Sequence, residues 1–232
     1  MTDVYAVRIN FSEKIDPVVL EQLLNRVSPD KKARLKRFYR QEDTLRGLFA
    51  DLLIRDVIMR KTGLKNEEIA FTPNYYGKPF LEGRDDIQFN LSHSGAWVVG
   101  VIDSRPVGID VEQVQSIDLA ISRNYYSPDE HRDLMSKDDK FDYFFTLWAL
   151  KESYIKILGK GLSHPLDAFS IKFETPEEII IRVEDKRIHD IFFQQYHIDK
   201  GYKMAVCAEH NGIPKEFNIV TTDELIKRFI DY

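Results

Sequence analysis

The stretch Val107-Gly108-Ile109-Asp110-Val111-Glu112-Gln113, VGIDVEQ, alternates apolar residues with a glycine and two carboxylates. A period of two marks a β-strand, with Val107, Ile109 and Val111 on one face and Asp110 and Glu112 side by side on the other. Two readings follow. The charged face meets solvent, as charged strand faces ordinarily do. Or it holds a hard divalent cation such as Mg²⁺, whose ligands are oxygens, typically one or two carboxylates with phosphate oxygens and waters. Neighbouring carboxylates repel, and a cation between them removes that cost. Gly108, just before the pair, lets another group approach the backbone closely.

Outward from this strand the chain reads as helices followed by strands, twice. VYAVRINF predicts a first strand, and Pro17 to Val27 an apolar-periodic helix. Ser28 reads as an N-cap with Pro29 at the first helical position, opening the basic helix PDKKARLKRFY. Leu45, Leu48, Phe49, Leu52, Leu53 and Val57 set a longer helix that Gly63 stops. EIAFTP, the turn NYYGKPF and two strands in IQFNLSHSGAWVVGVID complete the first half. In the second, DLAISRNYYSPDEHRDLM is helical with a break at Ser127-Pro128, and KFDYFFTLWALKESYIKILG is a long helix closed by Gly159. Strand-like AFSIKF, EIIIRV, IFFQQYHI and YKMAVCAEH follow, then a short terminal helix in TTDELIKRFIDY. The repeated order predicts two similar α/β halves, 1–105 and 106–232, with the seam near Asp103 to Pro106.

Composition bounds the rest. The chain has 232 residues, 43% hydrophobic and 31% charged, which is too apolar for a disordered polymer and enough for a core. A formal charge of −5 argues against general nucleic-acid binding. One cysteine, Cys207, allows no internal disulfide and fits a reducing, cytoplasmic setting. MTDVYAVRINF does not read as a signal peptide, and no apolar run reaches the roughly 20 residues of a membrane span.

Four further clusters carry polar chemistry. In WALKESYIK, Glu152 and Lys156 are i, i+4 on one helix face, a spacing that an ordinary surface ion pair also produces. Lys151 stands about 100° round the helix from Glu152. The aromatic run FDYFFTLW predicts that this helix is largely buried, so its charges need partners. FNLSHSGAW sets Ser92, His93 and Ser94 in a turn suited to an anion, or simply a polar turn with a satisfied histidine. Ser92 and His93 are adjacent, which implies no serine-protease triad. YGKP, Tyr76 to Pro79, and the basic helix with Lys31, Lys32, Arg34, Lys36 and Arg37 give an acidic protein local cationic patches.

Taken together, YGKP, then F-N-L-S-H-S, then G-I-D-V-E, then W-x-x-K-E-S-x-x-K, is similar to the 4′-phosphopantetheinyl transferases, most of all the surfactin-synthetase-activating type. The resemblance runs from SPDKKARLKRFY to GYKMAVCA. It implies an α/β (α+β) fold of two similar halves in one cytoplasmic monomer, with the active site in the cleft between them. It also implies a Mg²⁺-dependent transfer, Mn²⁺ being an alternative ion. The 4′-phosphopantetheine of coenzyme A would pass to a serine of an apo carrier protein, releasing adenosine 3′,5′-bisphosphate. The carriers would be peptidyl, acyl or aryl carrier domains of nonribosomal peptide, polyketide or fatty-acid synthases. Another Mg²⁺-dependent phosphoryl or nucleotidyl transferase, or an inactive carrier-binding module, are the rival readings.

By the same resemblance Asp110, Glu112 and Glu152 would hold the metal, and Glu152, Lys156 and Asp110 would be catalytic. Glu152 would accept the serine proton, directly or through a water on the cation. Lys151 and Lys156 would face the diphosphate. Ser92 and His93 would contact phosphates, with His93, Lys31, Arg34 and Arg46 around the 3′-phosphate. Tyr76, Gly77, Lys78 and Pro79 would line the adenine and pyrophosphate side, Lys78 as a cation. QSIDLAISRNYYSPDE, including Tyr125 and Tyr126, would dock the carrier. The chain departs from the pattern at Gly47, where similar enzymes often carry a hydroxyl residue, and at Arg34, where lysine is common.

Overall fold

Two long helices organise the chain, each laid across its own sheet. The computed structural model describes residues 1–159, 163–175, 178–184 and 186–230. The first half runs β1 (Asp3–Arg8), α1 (Pro17–Leu24), α2 (Pro29–Leu35), α3 (Gln41–Thr62), β2 (Phe71–Pro73), β3 (Pro79–Leu81), β4 (Gln88–Ser94) and β5 (Trp97–Asp103). After β6 (Val107–Gln113) come α4 (Ser122–Tyr125), α5 (Pro128–Ser136) and α6 (Lys140–Leu158). β7 (Phe169–Phe173), β8 (Ile179–Val183), β9 (Lys186–Ile188), β10 (Phe192–Tyr196), β11 (Tyr202–Ala208), β12 (Asn218–Ile219) and α7 (Thr222–Ile230) finish the chain.

Local signals set most boundaries. The Ser28 side chain accepts from Lys31 N with Pro29 leading α2, and Ser127 with Glu130 forms a capping box at α5. Gly63 and Gly159 end α3 and α6 with left-handed backbones, φ 75° and 62°.

The sheets have the orders β12-β1-β5-β4 and β10-β11-β6, with smaller sheets β2-β3 and β7-β8-β9. α3 packs on the first sheet over a core holding Leu48, Phe49, Leu52, Leu53 and Val98. α6 packs on the second, with Leu147, Leu150, Ile155, Ala205 and Cys207 in one cluster. A third apolar layer joins Val4, Ala6, Val99 and Val101 to Val107, Ile109, Val111, Met204 and Val206, and so binds the two sheets together. The alternation of β6 therefore resolves as follows: its apolar face is the seam, and its other face, with Gly108, Asp110 and Glu112, turns toward α6.

The boundary expected at 105/106 needs one correction. β12 pairs in parallel with β1 through Tyr5↔Asn218 and Ala6↔Ile219. Leu225 and Phe229 of α7 are buried in the first half's core. The chain's end thus returns to the first half, because the edge of β1 and the flank of α3 offer backbone and apolar surface that need covering. No helix among the described residues is long and apolar enough to cross a membrane.

Candidate active site

Asp110 is 3% exposed and lies where β4, β6 and α6 meet. Its Oδ1 accepts from Ser92 Oγ at 2.8 Å and from Lys156 Nζ at 2.7 Å. Its Oδ2 is buried with no hydrogen-bond partner. An orphaned carboxylate oxygen in a dry site is costly, so it marks a place that something else completes. Burial raises the Asp110 carboxyl above its ordinary range, against the pull of Lys156.

Glu112 accepts from Ser94 Oγ at 2.9 Å. Burial, then the charge of Asp110, pushes its pKa up to about 7, with Glu152 adding to the rise. Glu152 is itself raised, by burial and then by Asp110. The three carboxylates thus feel one another from two elements. Among the described residues, no three histidine, cysteine or acidic groups form a tight ready-made metal cluster. Lys156 stands against Asp110 instead. The orphaned Oδ2 and the mutual repulsion of the three acids fit a divalent cation that draws them in.

Side chains of β4 stitch the halves together at this point. Asn90 Oδ1 accepts from Ile109 N at 3.1 Å, and Ser94 Oγ accepts from Gln113 N at 3.1 Å. Asn90, Ser92 and Ser94 form one polar face of β4, set against Ile109 to Gln113. Ser92, expected to contact phosphate, spends its hydroxyl proton on Asp110 instead. Asn90 is the residue the sequence reading passes over, and Ser92 to Ser94 lie in strand β4 rather than in the anion-binding turn expected of them; the alternation in FNLSHS is the signal that places Asn90 and Ser94 with Ser92.

The close approach expected at Gly108 is made by α6. A Cβ there would overlap the carbonyl oxygen of Ser153 and stand 3.0 Å from Ile157 N. Backbone cannot swing aside as a side-chain tip can. Gly108→Ala is therefore expected to push α6 off β6 and lower stability by about 1–3 kcal/mol. Chemical denaturation checks it, an unchanged midpoint being the contrary result.

Lys156 faces Asp110, with Nζ also 3.0 Å from Ile109 O. Lys151 does not. It is wholly buried on the other side of α6, donating to Leu166 O at 2.9 Å and Phe169 O at 2.7 Å and pairing with Glu130 at 2.9 Å. Its ammonium lies over the Phe169 ring at 4.3 Å. Adjacent helix positions point in different directions, and the one next to Glu152 lands in the core.

The cationic residues fall in separate places. Lys31 and Arg34 line a cavity of about 290 Å³ with Gly77, Pro79, Phe89 and Leu91. Lys31 pairs with Asp51 at 3.8 Å. Arg46 lines a different depression with Arg40, Gly95 and Tyr202. Its guanidinium donates to Gly95 O at 2.8 Å and Asp43 at 2.6 Å. His93 lies within the fields of Arg46, Lys156 and Lys31; partial burial and then those charges hold its imidazole below the ordinary value. Tyr76 is half exposed. Lys78 is not a free cation: its Nζ donates to Lys156 O at 2.7 Å. At Gly47 an added Cβ would stand 2.6 Å from Leu35 Cδ2, a side-chain tip that would have to shift.

Beside Glu112 opens a groove of about 620 Å³ walled by Gln115, Ile117, Ile121, Phe144 and Trp148. Tyr125 packs edge-on against Trp148 at 5.4 Å. Tyr126 belongs to the core, 2% exposed, its hydroxyl donating to Phe144 O at 2.7 Å.

Two family models match. Residues 106–207 match the model described as the 4′-phosphopantetheinyl transferase superfamily, and residues 16–105 the one described as 4′-phosphopantetheinyl transferase, N-terminal. The chain is 41% identical over 208 residues to 4′-phosphopantetheinyl transferase Sfp of Bacillus subtilis (strain 168), covering 89% of this chain and 92% of that protein. It is 38% identical to 4′-phosphopantetheinyl transferase psf-1 of Bacillus pumilus, covering 90% of each. It is 34% identical to 4′-phosphopantetheinyl transferase gsp of Aneurinibacillus migulanus, covering 96% of this chain and 94% of that one.

Proposed function

The chain belongs to the 4′-phosphopantetheinyl transferases, enzymes of the Sfp type, and from that premise we propose that it moves phosphopantetheine from coenzyme A to a serine of an apo carrier protein with a divalent cation, Mg²⁺ first, at Asp110. The observation that carries this reading is the buried, unpartnered Oδ2 of Asp110, beside Glu112 and within the field of Glu152.

Asp110, Glu112 and Glu152 would hold the cation, which when bound supplies charge neutralisation for a diphosphate. Lys156, which lies against Asp110, would steady charge that develops on the leaving phosphate. In the transfer a bond forms between the carrier serine Oγ and the phosphorus that bears pantetheine. The P–O bond to the adenosine-side phosphate breaks, and adenosine 3′,5′-bisphosphate leaves. Glu152, one turn before Lys156 on the same face of α6, is the group we assign to take the serine proton.

Lys31 and Arg34 give the cavity beside Gly77 and Pro79 the cationic wall that a nucleotide phosphate requires. His93, exposed and within the fields of Arg46 and Lys31, extends it. The groove by Trp148 is where the carrier would sit, its apolar wall leading directly to Glu112. Carrier domains of peptide, polyketide or fatty-acid synthases, a cytoplasmic location and a monomeric state belong to the same proposal.

The test is to incubate the protein with coenzyme A, Mg²⁺ and an apo carrier domain, then weigh the carrier. It should gain one phosphopantetheinyl group, lose that gain when its serine is alanine, and lose it again with a chelator. Modification at full rate in the chelator contradicts the cation's part.

A further inference from the structure

The turn that carries Tyr76 and Pro79 is fastened to the far end of α6. Asn74 Nδ2 donates to Gly159 O at 2.8 Å, and Lys78 Nζ donates to Lys156 O at 2.7 Å. Near a helix end, carbonyls run out of N–H partners from the helix itself. Gly159 N closes α6 back onto Ile155 O at 3.1 Å, and the carbonyl of Lys156, one residue further on, takes Lys78 Nζ as a donor. An ammonium at a helix C-terminus also meets the favourable end of the helix dipole.

The turn is held together by the same residues. Asn74 Oδ1 accepts from Tyr76 N and Lys78 N, both at 2.9 Å. Asn74 N donates to Lys78 O at 2.8 Å, and Gly77 takes φ 90° to close the loop. Asn74 therefore ties the turn with its oxygen and α6 with its amide. Lys78 keeps its ammonium against a carbonyl at a real cost, since burial lowers its pKa to about 8 while Glu209 opposes the drop. Its Cδ would touch a Cβ placed on Gly159 at 3.3 Å, so the stem packs tightly on the helix cap.

What α6 carries makes this contact more than a prop. Lys156 gives its carbonyl to Lys78 and its ammonium to Asp110. Glu152 lies one turn earlier on the same face. A shift of the turn would therefore act on the helix that carries both side chains.

We propose that Asn74 and Lys78 are positioning residues that couple the nucleotide-facing turn Tyr76–Pro79 to the placement of α6, and so of Glu152 and Lys156. This rests on the reading above that the nucleotide end of coenzyme A lies against that turn. Filling the cavity beside Gly77 and Pro79 stiffens the turn; the two bonds transmit the stiffening to α6 and set the reacting groups in register.

Hydrogen exchange tests the coupling without catalysis, using adenosine 3′,5′-bisphosphate as the probe. In the unaltered protein the nucleotide should slow exchange both at the turn, residues 74–79, and at the end of α6, residues 153–159. Lys78→Met should keep the protection of the turn and lose the added protection of α6. In turnover, Lys78→Met should lower kcat by roughly tenfold to a hundredfold, as a small misplacement of reacting groups does. KM for coenzyme A should move by less than about threefold, and Lys78→Arg, which keeps a donor, should restore most of the rate. Equal α6 protection in Lys78→Met and the unaltered protein, or a raised KM at unchanged kcat, overturns the coupling. A nucleotide that protects neither segment of the unaltered protein overturns the donor-site reading itself, and the coupling with it.

Discussion

Asp110→Ala is expected to lower transfer by at least roughly 10²–10³-fold, the scale of losing one preorganised electrostatic contact to a transition state. The fold should survive, and stability should hold or rise. Asp110 is a buried acid whose charged form is disfavoured by desolvation, with one oxygen satisfied and one orphaned. Removing it relieves that cost, while Lys156 keeps Ile109 O as a partner and partial access to water. Coenzyme A binding should change by less than about tenfold, because Lys31, Arg34 and His93 remain. Turnover, coenzyme A binding by calorimetry and a thermal unfolding curve check the three parts together. Near-normal turnover at saturating Mg²⁺ removes Asp110 from the cation site. Lost turnover with a collapsed unfolding midpoint makes it a structural residue.

The second large effect is on stability. Lys151→Met should destabilise the protein by about 3–5 kcal/mol, because it strands Glu130 as an unpaired buried charge. Glu130 is 4% exposed and also accepts from Ile171 N and Ser127 N, both at 2.7 Å. Lys151, Glu130 and the carbonyls of Leu166 and Phe169 therefore form one knot joining α5, α6 and β7. Replacing both partners, Lys151→Met with Glu130→Gln, should recover much of the loss, since Gln still accepts a backbone N–H and no lone charge remains. Urea unfolding of the single and double variants measures this. Equal loss in both would show that the ion pair itself is not what holds the knot.

The sequence carried some of this plainly. Ser28-Pro29 and Ser127-Pro128 announce helix starts, and Gly63 and Gly159 announce stops, because caps depend on residues within one turn. The alternation in VGIDVEQ placed Asp110 and Glu112 on one face, and the face is real. What α6 does with its charges was only half legible. The i, i+4 spacing put Glu152 and Lys156 together, but α6 is apolar around much of its girth, so nothing in its pattern said that Lys151 enters the core. Glu130, its partner, lies 21 residues earlier with no periodic link. Lys78 reads as a cation in a turn; that its ammonium seeks a helix end 78 residues away depends on how the halves dock. The return of β12 and α7 to the first half is illegible for the same reason. A two-residue strand has no pattern, and its partner β1 stands more than 200 residues away.

The central claim, transfer of phosphopantetheine from coenzyme A at the Asp110 site, is tested most directly by counting both products in one reaction. Coenzyme A, Mg²⁺ and a limiting apo carrier are mixed with the protein. Adenosine 3′,5′-bisphosphate is then quantified by chromatography and the carrier by intact mass. The expected result is one nucleotide released for each carrier that gains one phosphopantetheinyl group, with both absent in Asp110→Ala. Nucleotide released without carrier modification, or a carrier that gains the nucleotide portion instead, contradicts it.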